Sequence, residues 1–251
     1  MVSHMDTRTV QLETPDGTMA TYEAVPGPTE RPKRGAVIVI QEAFGVNAHI
    51  EDVTRRCASA GYHAVAPHLF HRTGDPSFGY DDFSLVLEHV GALDDDAIRS
   101  DLQATLGHLQ AASWSLDQIG VVGFCMGGRA SFLAAGSFEL GAAVGFYGAG
   151  IVTPRSERVG SLLHLIPTMR TPWLGLFGDE DQSIPVADVE RLRSELAGAP
   201  VGTDVVRYPG AEHGFHCDAR PSYAPTAAAD GWRRTLDWLD HHLAPVAPPE
   251  A

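Results

Sequence analysis

The stretch Ile119-Gly120-Val121-Val122-Gly123-Phe124-Cys125-Met126-Gly127-Gly128 decides the fold. Its first four residues form a continuous apolar run of buried-strand type, and the small residues after Gly127 read as a helix. The G-x-C-x-G-G segment is therefore a turn between strand and helix. Small residues at 123 and 127 suit a sharp elbow that holds its central residue in a strained conformation, where flanking side chains would collide. The N-terminus of the following helix aims backbone N–H groups and positive potential at Cys125. That field favours a thiolate and, later, an oxyanion. Two other readings stand beside this one. Cys125 is also the kind of small apolar residue that fills cores, and the glycines could cradle a phosphate. The spacing is not G-x-G-x-x-G, and no ribose-binding acid follows a second strand, which tells against a nucleotide.

Outward from this point, apolar β-branched runs alternate with helix-period segments, as in a parallel sheet wrapped by helices. Upstream, Val10–Leu12 and Met19–Glu23 flank Pro15-Asp16-Gly17 and read as a hairpin. Ala36–Ile40 is too continuously apolar for an edge strand. A helix over Ile50–Ala60 ends at Gly61 and leads to a strand over Tyr62–Ala66, stopped by Pro67. Arg72–Tyr80 reads as an irregular loop. Asp94-Asp95-Asp96 reads as a cap and first-turn acids, rather than a metal site, for a helix carrying Ile98, Leu102, Leu106 and Leu109 on one face.

Downstream come strands over Ala142–Phe146 and Trp173–Phe177, then a helix with Val186, Val189, Leu192 and Leu196 on one face. A strand over Asp204–Tyr208 follows, and a last helix carries Trp232, Leu236, Leu239 and Leu243. One α/β domain with a doubly wound, mostly parallel sheet accounts for residues 1–251, with 1–7 and 244–251 as frayed tails.

Composition narrows the function classes. The chain has 251 residues, 20% charged, with a formal charge of −14, the wrong sign for nucleic acid or an anionic membrane. The densest basic stretch is only Arg31-Pro32-Lys33-Arg34. No apolar run reaches the roughly 18 residues of a membrane span, and the first residues lack the pattern of a signal peptide. Three scattered cysteines, Cys57, Cys125 and Cys217, do not make a disulfide framework. The expectation is a cytoplasmic globular protein, monomeric or homodimeric, acting on a small molecule.

Ligand sites of such sheets form at the carboxyl ends of the strands. A free cysteine is only roughly 3% thiolate at neutral pH, so Cys125 needs a partner. Beyond strand 173–177 lies Gly178-Asp179-Glu180-Asp181-Gln182-Ser183-Ile184-Pro185, and beyond strand 204–208 lies Pro209-Gly210-Ala211-Glu212-His213-Gly214-Phe215. The order Cys125…Asp181…His213, each just past a strand, is that of an α/β-hydrolase triad. His213 would take the Cys125 proton, and Asp181 would orient and stabilise the imidazole. Asp179 is the alternative carboxylate. His68, His71 and His164 read as surface or packing residues. His213, His216 and Cys217 lack the spacing of a metal motif, and the chemistry calls for no cofactor or metal.

Gln41-Glu42-Ala43-Phe44-Gly45-Val46-Asn47, Gly123–Gly128, Gly178-x-x-Asp181-x-x-Ile184-Pro185 and His213-Gly214-Phe215 with Arg220 together resemble the dienelactone hydrolase family, within the α/β-hydrolase fold. Trp232 also fits. The resemblance implies that Glu42 pairs with the resting Cys125, and that the Ala43 and Met126 amides form the oxyanion hole. It also implies that Arg220 anchors a substrate carboxylate. Phe44 and Tyr147 are expected as further substrate contacts. Two departures weaken dienelactone itself as substrate. His68–Asp82 offers only Arg72 where those enzymes have a second carboxylate-binding Arg, and Gly214 stands where they tend to carry Ser. The expected activity is opening of a lactone or cleavage of a small activated ester through an acyl-enzyme. The alternatives are a carboxylesterase or thioesterase without dienelactone activity, and a non-catalytic binder on the same fold.

Overall fold

Thr14 and Gly17 close a tight turn in which the Thr14 hydroxyl donates to the Gly17 carbonyl (2.7 Å) and accepts from the Asp16 amide (3.2 Å). It joins strands β1 (Met5–Thr14) and β2 (Gly17–Pro26), and β2 pairs antiparallel with β4 (His63–Pro67). All the remaining pairings are parallel, through β3 (Ala36–Ile40), β5 (Ile119–Phe124), β6 (Ala142–Phe146), β7 (Trp173–Gly178) and β8 (Thr203–Tyr208). The resulting eight-stranded sheet runs β1-β2-β4-β3-β5-β6-β7-β8. The computed structural model describes residues 5–27, 34–81, 84–156 and 159–246. Residues 31–33 of the basic stretch and the outer parts of both expected tails lie outside them.

Every residue of β3 through β7 is buried, which is why those segments read as unbroken apolar runs. Helices cover the sheet: α1 (Ala48–Ser59) over β2 and β4, α3 (Asp95–Ala111) against α4 (Met126–Ser137), α5 (Val186–Leu196) beside β8, and α6 (Pro225–His242) over β6 and β7. Asn47 caps α1 by accepting from the His49 and Ile50 amides, and Asp94 caps α3 by accepting from Ala97. The acidic triplet is thus a helix start, with Asp95 paired to Arg129.

One expectation is corrected. Met5–Thr7 do not fray but pair with Ala24–Pro26, and the C-terminal segment is tied down where Asp117 accepts from the Ala244 amide and Gln118 donates to Pro245. A further helix, α2 (Val86–Ala92), follows the expected loop. Two turns are too short to show helical periodicity, so its apolar residues gave no legible pattern.

Candidate active site

Cys125 sits at φ +54°, ψ −113°, between the end of β5 and the start of α4. That backbone region is costly for a residue with a Cβ and survives because its surroundings hold it there. The Cys125 amide donates to Phe146 (3.0 Å) and the Gly127 amide to Gln41 (3.1 Å), so both neighbouring strands grip the elbow. A Cβ at Gly123 would run into the Gly127 backbone, and one at Gly127 would come within 2.7 Å of the Gln41 carbonyl. The chain can pass only without those side chains.

The two downstream loops are stitched together. The Asp179 amide donates to Tyr208 and the Glu180 amide to Ala211. Asp181, its carboxylate fully buried, accepts from the Ser183 amide (2.7 Å) on one oxygen and faces His213 Nδ1 (2.7 Å) with the other. The alternative carboxylate, Asp179, is instead held by two bonds from Arg207 (2.7 and 2.9 Å). Burial alone would lower the His213 pKa, but the Cys125 charge and the bond to Asp181 push it up to about 10. Once Cys125 gives up its proton, His213 holds it at neutral pH.

Cys57 and Cys217 are different. Both are fully buried, and burial pushes the Cys57 thiol up to about 12. The Cys217 thiol is also raised by burial. Among the described residues, no protein acceptor takes the amide of Ala43 or Met126, and both residues line the cavity that holds Cys125.

The Glu42 loop departs from expectation. Glu42 is fully buried, but its carboxylate accepts from the Tyr80 hydroxyl (3.0 Å) and from Arg220 (3.2 Å). A buried carboxylate takes charge-assisted donors in preference to a weak S–H donor. Arg220 lies 5.8 Å and 5.4 Å over the Phe44 and Tyr80 rings. Its guanidinium crosses the backbone of Gly214, at φ +81°, so closely that a Cβ there would lie 2.6 Å from its central carbon. Glycine at 214 is what lets Arg220 reach Glu42.

Neither Phe44 nor Tyr147 lines the cavities that hold Cys125 and His213. Phe44 is buried edge-on against Tyr80, and Tyr147 packs its ring against His213 (5.1 Å between centroids) at 0% exposure. Both were expected to touch substrate, but they are buried behind Tyr80 and His213 instead. Arg72 is also unavailable to the site, because it clamps the buried Asp101 with two bonds and pairs with Asp16. The sequence reading gave Tyr80 no role, since only the folded loop brings it to Glu42.

Among the described residues, one set of donors converges as a metal site would: Glu23, His63 and His108, with ligand atoms within 4.8 Å of one another. A metal on His63 Nε2 would place the proton on Nδ1, where it would meet the indole N–H that Trp114 directs there (3.0 Å). Arg8 already holds the other Glu23 oxygen. The set is arranged as a hydrogen-bonded pin between β2, β4 and α3.

Comparison with known proteins bears on the family and the fold. Residues 19–243 match the model of the dienelactone hydrolase family. A protein of Methylorubrum extorquens provisionally named a carboxymethylenebutenolidase is 37% identical over 232 residues, covering 92% of this chain and 79% of its own. One of the same name from Escherichia coli K12 is 36% identical over 89% of this chain and 83% of its own. A crystal structure from Klebsiella pneumoniae, provisionally named a dienelactone hydrolase, superposes with a TM-score of 0.86 at 34% identity, covering 94% of this chain and 98% of that one.

Proposed function

The chain belongs to the dienelactone hydrolase family, hydrolases of lactone and ester bonds, and from that premise we propose that it opens a lactone or cleaves a small activated ester by nucleophilic attack of Cys125. The observation that supports this reading is His213, hydrogen-bonded to Asp181 and raised in pKa by the charge of Cys125, with Cys125 held at a strained elbow. His213 receives the thiol proton as Cys125 Sγ bonds the carbonyl carbon, and the carbonyl oxygen becomes an oxyanion facing the Ala43 and Met126 amides. Collapse breaks the carbon–oxygen bond, and the leaving oxygen takes the proton from His213. Water then attacks the thioester, passing its proton to His213 and freeing the acid as the thiol reforms. Asp181 keeps the imidazole in one orientation throughout and stabilises its charged form.

Glu42 and Arg220 bear on the choice of substrate. A substrate carboxylate at Arg220 must compete with Glu42, which is already paired with it. That observation favours a second reading, a carboxylesterase whose substrates carry no carboxylate. Hydrolysis of small aryl esters and of dienelactones by wild type and by Cys125→Ala tests the nucleophile. Loss of about a thousandfold or more in kcat is expected in the variant, and equal rates would overturn the proposal.

A further inference from the structure

Two separate cavities reach the catalytic cluster, and they differ in chemistry. The first, of about 200 Å³, holds Cys125 with Ala43 and Met126, and Leu87, Val90 and Ile98 supply much of its wall. Its charged groups already have roles: Asp94 caps α3, Asp95 and Arg129 pair with each other, and Arg155 stands exposed at a rim shared with a neighbouring cavity. The second, of about 310 Å³, holds His213 with Arg220, Gln182, Glu180, Glu212 and Ser222. The Ser222 hydroxyl is buried and has no protein partner among the described residues.

Ester cleavage assigns the two halves of a substrate to these cavities. The carbonyl carbon must meet Cys125 with its oxygen at the Ala43 and Met126 amides, so the acyl substituent occupies the apolar cavity. The leaving oxygen must meet His213, which does not line that cavity, so the alcohol occupies the polar one. Arg220 there is matched by Glu42, and Glu180 and Glu212 stand nearby, so the field does not select an anion.

We infer that the substrate is an open-chain ester of an apolar acid with a neutral, hydroxyl-bearing alcohol, the acid lying against Leu87, Val90 and Ile98 and the alcohol against Ser222 and Gln182. This rests on the Cys125 reading above and follows its second, carboxylesterase branch, extended to an alkyl ester. The apolar cavity, about 200 Å³, has room for roughly seven water-sized groups, which suits an acyl chain of about six carbons. The bond that breaks is the acyl carbon–oxygen bond, with the alcohol leaving on the proton held by His213 and water supplying the second product.

Two isomeric esters separate the possibilities: glycerol monohexanoate, apolar in its acid, and hexyl glycerate, apolar in its alcohol. Wild type should hydrolyse the first with kcat/KM about tenfold or more above the second. Leu87→Ala changes a side chain that is 58% exposed, so the core is untouched, and it should narrow that preference several-fold. Equal rates, the reverse preference, no hydrolysis of either isomer, or a preference unchanged by Leu87→Ala would overturn the inference. Hydrolysis that survives in Cys125→Ala would instead overturn the reading beneath it, so the two failures are distinguishable.

Discussion

Two histidine–carboxylate pairs in this chain have the same bond length and different fates. His213 Nδ1 lies 2.7 Å from Asp181, and His63 Nε2 lies 2.7 Å from Glu23. The difference is at the other ring nitrogen. That of His63 accepts from the Trp114 indole, and Glu23 is further held by His108 and Arg8. Burial would raise the Glu23 pKa, but those hydrogen bonds hold it well below the usual carboxylate range. Every site is occupied, and a proton has nowhere to go. His213 instead feels the charge of a cysteine that lines a cavity. A buried histidine–carboxylate pair is half a proton relay, and what meets the second nitrogen decides whether it acts or only fastens.

The contrast can be broken at either pair. Asp181→Asn should lower kcat by about a thousandfold to ten-thousandfold, because the imidazole loses its orienting acceptor while the fold is kept. A loss below tenfold would mean that Asp181 is a structural residue like Glu23. Glu23→Gln should do the opposite, costing about 3 kcal/mol of stability by breaking a buried charged cluster, with kcat below the unfolding transition unchanged. Thermal unfolding should then show Tm lower by about 6–12 °C. A Glu23→Gln protein of normal stability and impaired turnover would reverse the assignments.

A smaller effect distinguishes the histidines by pH. The His213 pKa is raised, so its contribution to stability is complete below about 6.5 and is lost as pH rises through about 10. His216, three residues on, is lowered to about 3 by burial and by the charges of His49 and Arg56. Its unfolded form takes up a proton that the folded form refuses, so stability falls as pH drops from about 6.5 toward 3. Tm measured across this range should decline on both sides, and His216→Gln should flatten only the acidic limb. A limb unchanged by that substitution would remove His216 from the account.

Much of this was legible in the sequence because it rests on backbone geometry. The elbow needs residues without side chains at 123 and 127, and the buried strands need unbroken apolar runs, so both leave marks in the residue order. The choice between Asp181 and Asp179 stayed open in the residue order, and the folded loop separates them, with Asp181 at His213 and Asp179 at Arg207. What could not be read were choices among partners distant in the chain. Glu42 meets Arg220 across 178 positions, and Tyr80 completes the set from a loop with no periodicity. Phe44 and Tyr147 were legible as aromatic residues near the site, but not as its buried support.

The central claim is that Cys125 carries the acyl group. Rapid acid quench of the enzyme with p-nitrophenyl hexanoate within the first turnover, followed by peptide mass spectrometry, tests this directly. The account predicts a hexanoyl group on the Cys125 peptide alone, removable by neutral hydroxylamine as a thioester is, with Cys57 and Cys217 unmodified. A hexanoyl group on any other residue, or hydrolysis through the first turnover with Cys125 unacylated, would contradict it.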